Sequence, residues 1–212
     1  MCEQVIGEPC AVIGHSLGGI TALVALQRRP DLFRAAVVED PPMFVAPRVD
    51  ERERVGHVLL DAFMMMRRSL PALQAFGMTA EAVAGFLAQV PTSSGETMGV
   101  TIEADGVLSI AGSLLAVDPA VLDPIVSGSL DPLLDADRGI VTPTLIVTAD
   151  PAVPGAICDP VASRELAAKS SAMEVVTIAG AGHLIHDEVG SRAQFRALTL
   201  EFLDRVSAGV VS

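Results

Sequence analysis

The chain has 212 residues, of which 50% are apolar, and a formal net charge of −12 at pH 7. This length accommodates one domain, or one domain with a small inserted subdomain, and the apolar content is sufficient for a sizeable core. The acidic composition disfavours nucleic acid and anionic membranes as partners, because both attract basic patches. The charge says nothing positive about the substrate, for which a small molecule is the expectation.

The cysteine content points to a reducing compartment. Cys2, Cys10 and Cys158 are too few and too irregularly spaced for a disulfide framework, and they contain no paired metal-binding motif. No apolar run approaches the roughly 18 residues that a membrane span needs, and the first residues lack the features of a signal peptide. These features predict a cytoplasmic protein.

The N-terminal stretch alternates between strand and helix patterns. Residues 10–13 form a short apolar run that is typical of a buried strand. Residues 18–29 have apolar positions at helical spacing, and Pro30 ends that helix. A second buried strand is predicted over residues 35–38 and ends at the acidic, proline-containing segment 39–42.

Further along, a helical insertion interrupts this alternation. Residues 43–138 contain helical stretches, notably 55–68 and 80–89, which are broken by prolines and glycines. The alternation then resumes with a strand at 144–148, a helix at 160–169, a strand at 174–178 and a last helix at 191–206. Such an order predicts an α/β fold with a doubly wound, mostly parallel sheet. The predicted core comprises residues 1–42 and 139–212, and the insertion at 43–138 is a predicted cap.

Residues 14–18 carry the motif with chemical content, Gly-His-Ser-Leu-Gly. The motif follows a predicted strand and opens a predicted helix, which is the setting of a nucleophile elbow with Ser16 as the nucleophile. Gly14 and Gly18 are expected to give the sharp turn its room. The backbone N–H of Leu17, at the helix N-terminus, is then suited to an oxyanion hole. The alternative is that Ser16 is simply the N-cap of the helix.

A histidine in the expected place favours the nucleophile over the cap. His183 follows the predicted strand at 174–178, and a loop histidine there can act as general base toward the serine. His15 is expected to point away from the reaction, and His57 lies in the insertion. His186 is expected to hydrogen-bond within its loop.

Four motifs together resemble the α/β-hydrolase fold family. They are Gly-His-Ser-Leu-Gly-Gly at 14–19, Glu-Asp-Pro-Pro at 39–42, Pro-Thr-Leu-Ile-Val-Thr-Ala-Asp at 143–150 and Gly-Ala-Gly-His at 180–183. The chain order Ser, Asp, His is also that of the family. The resemblance implies a catalytic triad at the carboxyl ends of the strands, with residues 43–138 as a helical cap over the site.

The resemblance leaves the acid of the triad open among three aspartates. Asp150 follows the last strand but one, where the family usually carries its acid, and it is the preferred candidate. Many relatives read Gly-x-x-Asp there, however, and the matching position in this chain is Ala152. Asp40, at the end of the preceding strand, is the alternative acid, although an Asp before two prolines also suits a structural anchor at the cap hinge. Asp159 lies further along the same loop as Asp150.

The resemblance begins near the middle of the family's sequence, since its elbow follows the fifth strand of eight. The sheet is therefore expected to be incomplete at the N-terminus, and the family's second oxyanion donor has no counterpart before Ser16. The apolar strand at 10–13 then becomes an edge, and an exposed edge is a template for pairing with another chain. Self-association through residues 10–13 is expected.

The resemblance implies hydrolysis of an ester, lactone or related carbonyl compound through an acyl-enzyme. Ser16 in the elbow disfavours dehalogenase and epoxide-hydrolase chemistry, for which this fold uses Asp there. No metal or organic cofactor is implied. Two alternatives stay open: a catalytically impaired fragment or binding remnant, and an acyltransferase.

Overall fold

The computed structural model describes residues 6–43, 57–92, 94–123, 134–135 and 137–209, with only the backbone for residues 57–62. Cys2 and the insertion segment 44–56 lie outside the described residues. The chain divides into two compact units. The first unit comprises Met1–Phe44, Leu133–His186 and Gly190–Ser212, and the second comprises Val45–Pro132 and Asp187–Val189.

The described elements follow one another in chain order from β1 to α7. They are β1 (Cys10–His15), α1 (Leu17–Arg28), β2 (Phe33–Glu39), α2 (His57–Ala75), α3 (Ala80–Leu87), α4 (Met98–Thr101), α5 (Ala104–Ala116), β3 (Thr144–Thr148), α6 (Pro160–Ala168), β4 (Met173–Thr177) and α7 (Arg192–Ser207), with short 3₁₀ turns at Pro30–Leu32 and Pro119–Leu122.

The described residues of the first unit form a four-stranded parallel sheet in the order β1-β2-β3-β4. The two central strands are apolar on both faces, which is why each reads as a continuous apolar run rather than as an alternating pattern. Ala36 and Val38 of β2 pack in one core cluster with residues of α1 and α6. Ala35 and Val37 pack in a second cluster, with Phe195 and Phe202 of α7. Helices therefore cover both faces of the sheet, which confirms the predicted α/β class.

The parallel arrangement brings four chain segments to one edge of the sheet. β1 leads into Ser16, β2 into Asp40, β3 into Asp150 and β4 into the loop that carries His183. Because all four strands run the same way, their carboxyl ends lie at the same edge, where ligands bind in open α/β sheets. The topology thus collects every candidate residue in the first unit.

The described part of the second unit is helical, with α2 to α5 and two isolated β-bridges. α2 and α3 overlap the helical stretches predicted at 55–68 and 80–89, and α3 packs on α5. The role of this unit as a cap stays a prediction. No helix formed by the described residues is both long and apolar enough to cross a membrane.

β1 lies at the edge of the described sheet. It pairs with β2 on one side, and no other strand of the described residues lies on its outer side. Ile13 in this strand is 56% exposed, whereas every residue of β3 is buried. An apolar strand at the edge of a sheet can add another strand along its outer side. We propose that this edge, Cys10–Ile13, pairs with a second copy of the chain.

If β1 pairs between copies, a charge on its exposed face should weaken the association, because charged side chains on an edge strand oppose strand pairing. We expect the mass of the 212-residue chain, measured by light scattering, to rise with concentration, and Ile13→Lys to reduce that rise. Leu200→Lys on α7 is the matched control, since Leu200 is 51% exposed and the charge change is the same. Equal masses for the two variants at every concentration would contradict the role of the edge.

Candidate active site

Ser16 lies on a sharp turn between β1 and α1. Its backbone has φ 52° and ψ −121°, a conformation that non-glycine residues rarely adopt. The turn is held by a hydrogen bond from the Ser16 N–H to the Glu39 carbonyl (2.9 Å) and by one from the Gly19 N–H to the Ser16 carbonyl (2.9 Å). Backbone strain of this kind, kept by the surrounding structure, is typical of a nucleophile elbow.

Two glycines around the turn are required by close contacts. A Cβ on Gly14 would lie 2.5 Å from the Gly18 carbonyl oxygen, and one on Gly19 would lie 2.8 Å from Cγ1 of Val38. Gly18 differs from the prediction, because a Cβ there would meet no atom within 4 Å. Gly14 and Gly19 therefore make the turn possible, because the start of α1 comes too close to the strand ends there for a Cβ atom.

The structure does not support the alternative that Ser16 is only a helix cap. Ser16 occupies the N-cap position of α1, but its side chain makes no capping hydrogen bond within the described residues. The Ser16 hydroxyl is thus not committed to the helix. The N–H groups of the first turn, beginning with that of Leu17, have no acceptor inside the helix and form its positive end.

His183 pairs with Asp40. Nδ1 of His183 lies 2.6 Å from Oδ2 of Asp40, although the two residues are 143 positions apart. A buried carboxylate accepts hydrogen bonds, so Nδ1 carries the proton and Nε2 keeps its lone pair. The His183 ring lies 4.5 Å, centroid to centroid, from the ring of His15, the residue before Ser16. This arrangement gives His183 the tautomer that a general base needs.

The Asp40 carboxylate is fully buried and is held by three backbone N–H groups as well as by His183. Oδ1 accepts from Ala149 (3.1 Å) and Cys158 (3.2 Å), and Oδ2 accepts from Ile157 (3.0 Å). Asp40 also has a positive φ of 38°, just beyond the end of β2. Backbone N–H groups of the loop after β3 therefore hold this carboxylate in position beside the histidine.

The preference for Asp150 as the partner of His183 is wrong. Its carboxylate accepts instead from the backbone N–H groups of Gly180 (2.8 Å) and Ala152 (2.9 Å), and these bonds lower its pKa. Asp150 thus ties the loop after β3 to the loop that leads to His183. Asp159 caps α6 by accepting from the Val161 N–H (2.8 Å). Among the hydrogen bonds of the described residues, the one to the His183 ring comes from the alternative, Asp40, and not from either of these aspartates.

A second group of residues beside this pair escaped the sequence analysis. Nδ1 of His186 lies 2.8 Å from Oε2 of buried Glu39, and the His186 N–H donates to Oε1 (3.0 Å). His15 does not point away from the site, because its Nε2 donates to the His183 carbonyl (3.0 Å). One signal was available: Glu39 and Asp40 are adjacent, and two histidines follow three residues apart in one loop.

Burial changes the proton affinity of two nearby groups. It lowers the pKa of His15, with the charge of Glu39 acting in the opposite direction and the neighbouring His183 and His186 adding to the decrease. Burial also raises the pKa of the Cys158 thiol to about 12, so this cysteine is protonated at neutral pH and is no rival nucleophile.

The sequence of the chain matches one protein family. The family model described as "Alpha/beta hydrolase family" matches residues 2–197. A comparison with curated protein sequences found no match.

Many solved structures resemble the chain. An alpha/beta hydrolase fold protein from Nakamurella multipartita has a TM-score of 0.55 at 23% identity, covering 97% of this chain and 72% of that one. An E-2-(acetamidomethylene)succinate hydrolase has a TM-score of 0.59 at 23% identity, covering 96% and 69%. A monoacylglycerol lipase from Paleococcus ferrophilus has a TM-score of 0.50 at 20% identity, covering 95% and 70%. At these identities the likeness shows the fold.

The lowered pKa of His15 predicts a pH effect on stability. Between this lowered pKa and the unfolded value near 6.5, the unfolded chain binds a proton that the folded chain does not, so the free energy of unfolding decreases as the pH falls through that window. His15→Gln removes this proton uptake. We expect denaturant titrations at pH 7.5 and pH 5.5 to show a smaller loss of stability in the variant than in the wild type. An equal or larger loss in the variant would contradict the assignment.

Proposed function

Because the chain belongs to the alpha/beta hydrolase family, we propose that it acts as a serine hydrolase on an ester, lactone or related carbonyl compound. The observation that carries this proposal is the 2.6 Å hydrogen bond between His183 and buried Asp40, at the sheet edge where the strained turn at Ser16 lies. A buried carboxylate that fixes one histidine tautomer is costly to build and serves a general base well.

In the first half of the proposed reaction, Nε2 of His183 takes the proton of the Ser16 hydroxyl. The Ser16 oxygen then forms a bond to the carbonyl carbon of the substrate, and the carbonyl π electrons move to the oxygen. When this tetrahedral intermediate collapses, the C–O bond to the leaving alcohol breaks. The leaving oxygen takes the proton from His183, and an acyl group remains on Ser16.

The second half repeats these steps with water. His183 removes a proton from a water molecule, whose oxygen attacks the acyl carbon, and the bond to the Ser16 oxygen breaks as that oxygen regains a proton. Asp40 stays ionised throughout and stabilises the imidazolium that forms twice per cycle. The acceptor in this half decides between a hydrolase and an acyltransferase, which is the alternative when an alcohol or amine replaces water.

The N-terminus of α1 suits the negative charge that develops on the substrate oxygen. The Leu17 N–H belongs to the first turn, whose donors lack intrahelical acceptors, and the helix dipole favours an anion there. Leu17 therefore supplies one oxyanion donor in this mechanism. Removing one such donor typically lowers kcat by about 10²–10³-fold, which is the contribution expected of this contact.

The proposal assigns the acid role to Asp40 rather than to Asp150. Support comes from the bonds that each carboxylate makes: Asp40 to the His183 ring, and Asp150 to backbone N–H groups of two loops. Asp150 then acts as a structural tie. The small number and irregular spacing of the cysteines support a reducing compartment such as the cytoplasm.

The principal rival is a chain that binds without turnover. It draws support from β1, a strand with an exposed apolar residue, Ile13, at the edge of the described sheet. Reaction with a fluorophosphonate separates the two, since phosphonylation requires an activated serine but no specific substrate.

The nucleophile is tested by labelling followed by peptide mass spectrometry. We expect a fluorophosphonate to modify Ser16, and both Ser16→Ala and His183→Ala to lose turnover of short-chain esters by several orders of magnitude, because triad members act as a unit. Labelling of another serine, or retained turnover in Ser16→Ala, would contradict the role of Ser16. Absence of labelling in the folded wild type would favour the non-catalytic rival.

The acid is tested by two identical changes at two positions. Asp40→Asn should lower kcat by about 10⁴-fold, because an amide no longer holds the tautomer of His183 or stabilises the imidazolium. Asp150→Asn should leave kcat within a few fold and lower the melting temperature, since one of its two N–H bonds loses its acceptor. Steady-state kinetics and thermal melts on both variants check this. The reverse ranking of kcat would restore Asp150 as the acid.

A further inference from the structure

We propose that His15, Glu39 and His186 form a binding site for one divalent transition-metal ion, best suited to Zn²⁺, beside the pair of His183 and Asp40. Each residue offers one ligand atom, and the three atoms lie within 4.8 Å of one another. Among the described residues, no other group of three or more His, Cys, Asp or Glu side chains meets this condition. The proposal does not depend on the chemistry assigned to Ser16.

The three ligands come from three separate segments that the sheet holds in place. His15 ends β1, Glu39 ends β2, and the two are register partners in the parallel sheet. His186 belongs to the loop after β4 and is fastened to Glu39 through its backbone N–H as well as through its ring. Two imidazoles and one carboxylate form a donor set that zinc takes in sites with an open fourth position.

The hydrogen bond made by the His15 ring favours metal binding through the other ring nitrogen. Nε2 of His15 donates to the backbone carbonyl of His183 at 3.0 Å. This bond fixes the tautomer, so Nδ1 keeps the lone pair with which an imidazole binds a metal. Metal-binding histidines almost always donate their other ring N–H to a carbonyl or a carboxylate in this way, and the bond orients the ring.

At Glu39 the ion would replace a proton. Nδ1 of His186 now shares its hydrogen with Oε2 of Glu39 across 2.8 Å. Two ligands on a tetrahedral zinc with bonds of about 2.0–2.2 Å lie about 3.4 Å apart, so binding requires an opening of roughly 0.6 Å. The His186 side chain is 36% exposed, which provides an approach for the ion, and buried Glu39 contributes the negative charge. The net charge of −12 further favours a cation.

This site changes the expectation that the chain uses no metal. The sequence contains no zinc motif with regular spacing, because the ligands stand at positions 15, 39 and 186 and only folding collects them. An ion there would carry positive charge next to the loop of His183, whose carbonyl His15 holds.

Calorimetric titration of the metal-stripped 212-residue chain with Zn²⁺ tests the site. We expect saturation at one ion per chain, and a visible absorption band of bound Co²⁺ that reports nitrogen and oxygen ligands. Glu39→Gln and His186→Gln should each weaken Zn²⁺ binding by at least about 10-fold, since even a supporting contact to a ligand is worth 10–100-fold. Circular dichroism checks that each variant is folded. If Glu39→Gln is not folded, His186→Gln, at a partly exposed position, carries the test.

His57→Gln is the matched control, because His57 begins α2 in the second unit and lies outside the proposed ligand set. It should bind Zn²⁺ as the wild type does. Ser16→Ala should also leave binding unchanged, so a failure of the proposed hydrolase activity stays distinguishable from a failure of this site. The proposal is overturned if the wild type shows no saturable binding of either ion, or if His186→Gln binds as tightly as His57→Gln. In that event the contact between Glu39 and His186 is only a hydrogen bond between two side chains.

Discussion

The buried carboxylate of Asp40 is the interaction on which the site depends. Removing a carboxylate from water costs several kcal/mol after relaxation, and the cost is recovered only when the charge is fully hydrogen-bonded. Four donors meet at Asp40: the His183 ring and three backbone N–H groups from the loop after β3. This one side chain therefore binds together the ends of β2 and β3 and the loop after β4.

Backbone strain and close packing at the ends of β1 and β2 help to hold the same site in place. Ser16 and Asp40 are the non-glycine residues with positive φ in the described part of the chain, and both directly follow adjacent parallel strands. Each costs on the order of 1–3 kcal/mol, which the surrounding structure must offset. The contacts of Gly14 and Gly19 with backbone and with Val38 show how closely α1 is set against the strand ends to hold the turn.

Two adjacent acidic residues each hold one histidine of a single loop. Glu39 is the last residue of β2 and pairs with His186, and Asp40 has already left the strand and pairs with His183. Successive side chains of a regular strand point to opposite faces. The positive φ of Asp40 departs from that alternation, and both carboxylates reach the same loop. A change at either acid is therefore expected to affect the other histidine through their shared loop.

The sequence by itself determined the fold class, and it identified Ser16 and His183 as candidate site residues. Apolar runs at 35–38 and 144–148 predicted strands of a parallel sheet, because such strands are buried on both faces and need no polar side. The elbow at Ser16 and the loop histidine His183 were readable because each depends on its position next to a local element. The helix that begins near residue 18 was predictable for the same reason, because helical periodicity relates residues only three and four positions apart.

Only the tertiary structure decided which carboxylate meets which histidine. The choice between Asp40 and Asp150 rests on hydrogen bonds across 143 and 30 positions, and no local pattern specifies them. The same holds for the pair of Glu39 and His186, which is 147 positions apart. Long-range polar contacts depend on strand order, on loop direction and on backbone strain at single residues. Residue propensities and motif spacings contain no information on these features, because each feature is set by the packed sheet as a whole.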